Sequence, residues 1–144
     1  MSFFSPLLLV LLLNVTGPVR PPVLSVKILH ATKVAVSSQQ AQRFNSAEMK
    51  SLFSKHNYRH FYLLGETSLD FASTVSTPDK AVELPNKQSA KFRYRGFLNG
   101  QYVYDFSLPD YGVTAQIKAT PGRTFYQAGI RYKEGMIILQ LRAE

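Results

Sequence analysis

From Ser89 to Leu108 the chain alternates. Ala90, Phe92 and Tyr94 interleave with Lys91, Arg93 and Arg95, and Tyr102, Tyr104, Phe106 and Leu108 interleave with Val103, Asp105 and Ser107. A period of two sends each set to its own face of a pleated strand, so both runs read as half-buried strands. Asn99-Gly100 sits between them and tolerates the positive φ of a tight turn, which makes the segment a hairpin. Two registers compete. A two-residue turn pairs Leu98 with Gln101 and sets Tyr104 opposite Arg95 and Phe106 opposite Arg93, mixing cations with aromatics. A three-residue loop, Leu98-Asn99-Gly100 with Gly100 left-handed in a bulge, moves the pairing by one. Phe92 then meets Phe106, Tyr94 meets Tyr104 and Arg93 meets Asp105, leaving one apolar face and one charged face. Burying a large aromatic is worth about 1.5–3 kcal/mol, whereas an exposed cation–π pair offers about 0.5–1 kcal/mol. The three-residue loop is therefore the expected register.

The remaining chain extends the same pattern. Val23 to Val36 is β-branched and partly alternating, a long strand with a break expected near His30-Ala31; Ser37 to Gln42 reads as loop. Asn45 to Lys55 is the one expected helix, with Asn45 as cap, Glu48 completing a capping box, Phe44 stapling to Met49, and Met49, Leu52 and Phe53 buried. Strands are expected at Arg59–Leu64, with a turn at Gly65, then at Leu69–Val75, Ala81–Leu84, Val113–Ala119, Phe125–Tyr132 and Met136–Leu141. Turns fall at Thr77-Pro78-Asp79, Pro85-Asn86-Lys87, Pro109–Gly112, Thr120–Arg123 and Lys133–Gly135. Eight or nine short strands at this spacing argue an all-β antiparallel sandwich with one short α-helix, a barrel being the other closure.

Composition adds a compartment and a charge. The chain has 144 residues, 45% of them hydrophobic, a net charge of +8 and no cysteine. That is one folded domain with no disulfide framework and no thiolate metal site, attracted to anionic partners. The apolar run Leu7–Leu13 has the length of a signal-peptide core and is too short to cross a bilayer. No Lys or Arg precedes it, no small-x-small site follows, and even the stretch Phe3–Val19 reaches only 17 residues, the lower bound for crossing. The chain thus divides into a hydrophobic signal or anchor segment with a Pro-rich linker, residues 1–22, and a sandwich domain, residues 23–144. Export to a periplasm or cell surface, with or without a retained membrane tether, is expected. The Asn14-Val15-Thr16 sequon lies in the apolar segment and carries no weight.

No residue set announces catalysis. His56 and His60 have the i, i+4 spacing of a metal pair, but Asn57-Tyr58 stands where the helix ends and no third ligand is near. They read as loop histidines close to a helix C-terminus. His30 lies in an apolar strand and reads as a core or edge histidine. Glu66, Asp70, Asp79 and Glu83 could pair as acid and base across strands, yet nothing in their spacing requires it. Nucleophile elbow, phosphate-cradling loop and dinucleotide fingerprint are all missing from the sequence. No catalytic residue, metal, cofactor or small-molecule substrate is expected.

The binding candidate is the basic row Lys87, Lys91, Arg93 and Arg95. In the three-residue register it forms a stripe with roughly 6–7 Å between successive same-face residues, suited to an acidic polymer or an acidic protein face. In the two-residue register Tyr102 and Tyr104 join it, giving a stacking platform for single-stranded nucleic acid or sugar. The competing readings are a solvated sheet face softened by Asp105, and charge that protects a sheet edge.

The order of V-K-I-L-H-A-T at Val26–Thr32, a short helix, F-Y-L-L at Phe61–Leu64, V-E-L-P-N at Val82–Asn86 before a basic strand, and Q-A-G-I-R-Y-K-E-G-M-I-I-L at Gln127–Leu139 resembles small exported bacterial β-sandwich proteins of unknown function. The resemblance spans Val26 to Leu141 and implies the sandwich fold, with no site to carry over. The expected role is a non-enzymatic accessory or structural subunit of an envelope or membrane-associated assembly. It would dock onto a protein partner by its sheet surface and hold to the membrane by the N-terminal segment. The alternative is an exported basic module for an acidic polymer, a polysaccharide or a nucleic acid.

Overall fold

The computed structural model describes residues 22–36, 42–71 and 79–144. The N-terminal apolar segment, most of the loop at Ser37–Gln42, the later part of the Leu69–Val75 strand and the Thr77-Pro78 turn lie outside the described residues. Among the described residues nine antiparallel strands form two sheets. In chain order they are β1 (Val23–Thr32), β2 (Gln42–Arg43), β3 (His60–Asp70), β4 (Lys80–Glu83), β5 (Ser89–Leu98), β6 (Gln101–Leu108), β7 (Val113–Ala119), β8 (Thr124–Tyr132) and β9 (Gly135–Ala143), with helix α1 (Ala47–Phe53) between β2 and β3. The larger sheet runs β2-β3-β1-β9-β8 and the smaller runs β4-β5-β6-β7. The fold is the all-β sandwich that the alternation implied.

The core lies between the sheets. Leu24, Val26, Ile28, Leu139 and Leu141 from the larger sheet meet Phe92, Tyr104, Phe106 and Leu108 from the smaller. A second cluster, Leu29, Ala31, Met49, Phe61 and Ile138, fills the opposite face of the larger sheet beneath α1. The far half of β1 is therefore covered on both faces, and Ile28 through Thr32 are buried without interruption. That double burial accounts for the lost alternation near His30-Ala31, where the strand is continuous. Its irregularity is a register shift against β3 between Ile28 and Leu29.

Three local expectations are corrected. Ser46 caps α1 in place of Asn45: its Oγ accepts from the Met49 N–H at 3.2 Å. Glu48 then falls at the second helical position, beside the Tyr126 hydroxyl. Met49 is buried, but Leu52 is 51% exposed, because so short a helix turns only one narrow stripe toward the sheet. Gly65 is no turn. It lies inside β3 opposite Ile28, next to Leu64, the extra residue of the bulge at which β3 shifts register against β1 between its Gly65 and Leu63 pairs.

The central hairpin realises both registers. At its base Phe92 pairs with Phe106, Arg93 with Asp105 and Tyr94 with Tyr104, the pairing expected of the bulged form. At its tip the loop is the two-residue one: Leu98 pairs with Gln101, and Asn99 and Gly100 take φ of 53° and 80°. The difference is absorbed at Arg95, an extra residue between the Tyr94–Tyr104 and Gly96–Val103 pairs. The bulge thus sits inside the strand and not in the loop. It lets Phe92 and Tyr94 stay on the core face while Phe97 packs on Tyr102 at 5.0 Å between ring centroids.

Candidate functional site

The outer face of β5, β6 and β7 is built by that bulge. Below it Lys91 and Arg93 point outward, as alternation demands; at it Arg95 turns out, and beyond it Phe97 and Leu98 reach the tip of the hairpin. Phe97 is 38% and Leu98 62% exposed. A groove of about 560 Å³ follows, lined by Arg95, Gly96, Phe97, Leu98, Val103, Asp105, Gln116 and Lys118.

The predicted cations are only partly assembled. Lys91 and Arg93 border one shallow depression with Asp79, Asp105 and Ser107, and Arg95 borders the groove beside it. Lys87 is separated from them: it occupies the β4–β5 turn with φ of 65° and lines a cleft between the sheets. Arg93 Nε donates to Asp79 Oδ1 at 2.7 Å, and Arg95 forms its own ion pair with Asp105. Asp105 therefore neutralises the bulge residue on the diagonal instead of Arg93 directly across. Lys91, Arg93 and Arg95 face two carboxylates, a formal balance of +1. Among the described residues Lys91 makes no ion pair.

Tyr102 and Tyr104 do not join this face. They are 8% and 0% exposed, on the core side of β6, because the base register turned the aromatics inward. The Tyr104 ring lies 5.5 Å from those of Phe71 and Tyr94, and its hydroxyl has no hydrogen-bond partner among the described residues. Burial first, then the neighbouring Tyr94 and Tyr102, hold its phenol well above the ordinary tyrosine range.

The cleft between the sheets, about 620 Å³, has Ile28, Val82 and Leu84 among its lining with Glu66, Glu83, Lys87 and Tyr132. It brings together two of the acidic residues singled out in the sequence, while Asp79 pairs with Arg93 on the far side of β4 and β5. A second cleft of about 630 Å³ lies at the end of α1, lined by Lys33, Phe53, His56, Tyr58 and Met136 among others. His56 and His60 part company there: Asn57 is left-handed between them and His60 Nδ1 contacts Arg43 Nη2 at 2.7 Å. Among the described residues no group of three His, Cys, Asp or Glu is placed to hold a metal. His30 is buried, its ring edge-on to Tyr132 at 4.9 Å and its Nε2 without a hydrogen-bond partner among the described residues. Burial holds its pKa below the ordinary histidine value, opposed by a backbone hydrogen bond at Tyr132. Burial also raises the Tyr94 and Tyr126 phenols, the latter helped by the Glu48 carboxylate. These four shifted groups are not among the lining of the two clefts and the groove described here.

Phe97 and Leu98 were not singled out by the alternation, although the adjacent Gly96 inside a strand is a recognised mark of a bulge and of a re-aimed neighbour. The partner of Arg93 was hidden because Asp79 lies before a different strand. Among the described residues no helix is long and apolar enough to cross a membrane. No protein-family model, characterised protein or solved structure matches the chain.

Proposed function

We propose that the chain is a non-enzymatic accessory subunit of an envelope or membrane-associated assembly, docking through the outer face of β5, β6 and β7. The observation that carries this reading is the exposure of Leu98 at the end of the bulge-shaped groove beside the Arg95–Asp105 pair, while Phe97 caps the hairpin tip on the Tyr102 side. An exposed apolar side chain with a paired arginine beside it and polar groups around it has the layout of an interface patch inside a polar rim. The N-terminal apolar run supports the membrane association, as a sequence feature. Recovery from the native host tests it. A stoichiometric envelope partner should stay bound to the wild-type chain at about 0.5 M salt, where exposed charges are screened within a few ångströms, and be lost from Leu98→Asp. A partner retained by Leu98→Asp would refute docking at this face.

The polyanion alternative rests on Lys91, the cation of the stripe with no carboxylate partner among the described residues. It predicts binding to a model acidic polymer whose logarithmic affinity falls with the logarithm of salt, by about 0.9 per phosphate contacted on duplex DNA. A flat salt dependence excludes it.

A further inference from the structure

Four strands end the two sheets, and three of them are blunted. β2 is two residues long, and β4 is four residues long with Lys80 and Glu83 at its ends. β8 is interrupted against β9 between Gln127 and Ile130, where Gly129 takes φ of 101°. Short length, charge and bulges are the devices that keep an edge from recruiting another strand. β7 is neither short nor bulged. It pairs with β6 without a shift over seven residues, from Tyr102–Ala119 to Leu108–Val113. It holds no proline, and its one charge is Lys118. Its core-side row also overhangs the larger sheet: Val113 is 39% exposed, Ala115 is exposed, Ile117 is half-buried and only Ala119 is covered.

We propose that β7 pairs antiparallel with the same strand of a second copy of this chain, about a two-fold axis at Gln116. The two four-stranded sheets then become one continuous sheet. Only an axis at Gln116 overlaps all seven residues. Val113 then faces Ala119 of the partner subunit and Ile117 faces Ala115 of the partner subunit, a larger side chain against a smaller one in each apolar pair. Lys118 faces Thr114 of the partner subunit, so no like charges meet across the seam. The strand is bounded by the Pro109–Tyr111 turn on one side and by Thr120-Pro121-Gly122 on the other, which prevents the pairing from sliding into a longer ribbon. A two-fold seam uses the same edge on both copies and closes on itself, so it yields a dimer and not a fibre. Gln116 and Lys118 also line the groove described above, so the dimer presents two such grooves on one side of the joined sheet. The inference stands on the edge itself and does not depend on the docking reading.

The full chain has no cysteine, so introduced thiols report the register cleanly. Gln116→Cys, Thr114→Cys and Lys118→Cys are oxidised mildly or treated with a short bismaleimide, then run without reductant. Residues directly opposite across an antiparallel pair have Cβ atoms about 4.5–5.5 Å apart, within reach of either reaction. Gln116→Cys should cross-link to itself, and neither of the other two should. A mixture of Thr114→Cys with Lys118→Cys should cross-link. Ile117→Lys should abolish the dimer seen by sedimentation velocity while leaving the far-UV spectrum unchanged. A wild-type chain that sediments as a monomer at every concentration overturns the proposal. So does cross-linking that is equal at the three positions, the signature of association through another surface. Leu98→Asp tests docking separately, and should leave the Gln116→Cys cross-link intact.

Discussion

Removing the hydroxyl of Tyr104 should make the protein more stable. The side chain is wholly buried between the sheets, and its ring meets Phe71 and Tyr94 with centroids 5.5 Å away in each case. Phenylalanine keeps those contacts. The hydroxyl, however, has no hydrogen-bond partner among the described residues, and a buried polar group left unsatisfied costs about 1–3 kcal/mol. Set against the few dispersion contacts the oxygen makes, Tyr104→Phe should gain about 1 kcal/mol. In a domain of this size that raises Tm by roughly 3–5 °C. Urea titration followed by far-UV circular dichroism reads the gain as a higher midpoint at unchanged slope. Tyr104→Ala is the control: it discards the ring and should cost about 3–5 kcal/mol. Alkali gives a second readout. The phenol pKa is raised in the fold, so the unfolded chain ionises first and stability falls as pH climbs above the ordinary tyrosine value of about 10. Tyr104→Phe should lose part of that fall. A loss of 1 kcal/mol or more in Tyr104→Phe would mean that the hydroxyl is hydrogen-bonded after all, and the packing argument would be wrong.

His30 predicts an acid dependence. Its pKa is lowered by burial, so below about 6.5 the unfolded chain takes up a proton that the fold refuses, and stability declines until the folded value is passed. The slope from one such group cannot exceed about 1.4 kcal/mol per pH unit, and His30→Leu should flatten the urea midpoint between pH 6.5 and 5; an unaltered profile would remove His30 as the cause. Gly135 leaves no room for a side chain, because a Cβ there would lie 1.9 Å from the Ala31 carbonyl oxygen. Gly135→Ala should therefore cost more than about 4 kcal/mol, the range reserved for such steric faults, and near-native stability by the same titration would contradict the close approach of β9 to β1.

Much of this was legible in the alternation, for reasons that also explain the rest. Phe92, Tyr94, Tyr104 and Phe106 stand on one face because a slip of one residue would expose all of them, so their pairing is strongly determined. Nothing comparable acts at the tip, where Phe97, Leu98 and Gln101 are partly or wholly exposed and the preference of Asn99-Gly100 for a type I′ turn decides. The conflict is resolved at Arg95-Gly96. At α1 two adjacent residues can each cap, and choosing Ser46 over Asn45 is a matter of one hydrogen bond to Met49. Gly65 misled because a glycine inside a strand marks a bulge as readily as a turn, and here the β3 bulge falls at Leu64 beside it. As for the candidate face, its cations were plain in the strand pattern, while its neutralising partner Asp79 and the isolation of Lys87 depend on how β4 docks on β5. Which strands share a sheet is a long-range matter that local periodicity does not carry.

The pairing of β1 with β9 sets an order of assembly. Leu24 is matched with Ala143 and Thr32 with Gly135, and Val23 and Glu144 exchange backbone hydrogen bonds of 2.9 and 3.0 Å. The middle of the larger sheet thus cannot close until the last described strand has left the ribosome, whereas β4 to β7 form a meander complete by residue 119. Loop closure over more than a hundred residues makes the β1–β9 step slow, and the meander is the natural nucleus. Until β9 arrives, one sheet waits with its aromatic face bare, which makes the interval of synthesis the time when a chaperone has most to cover.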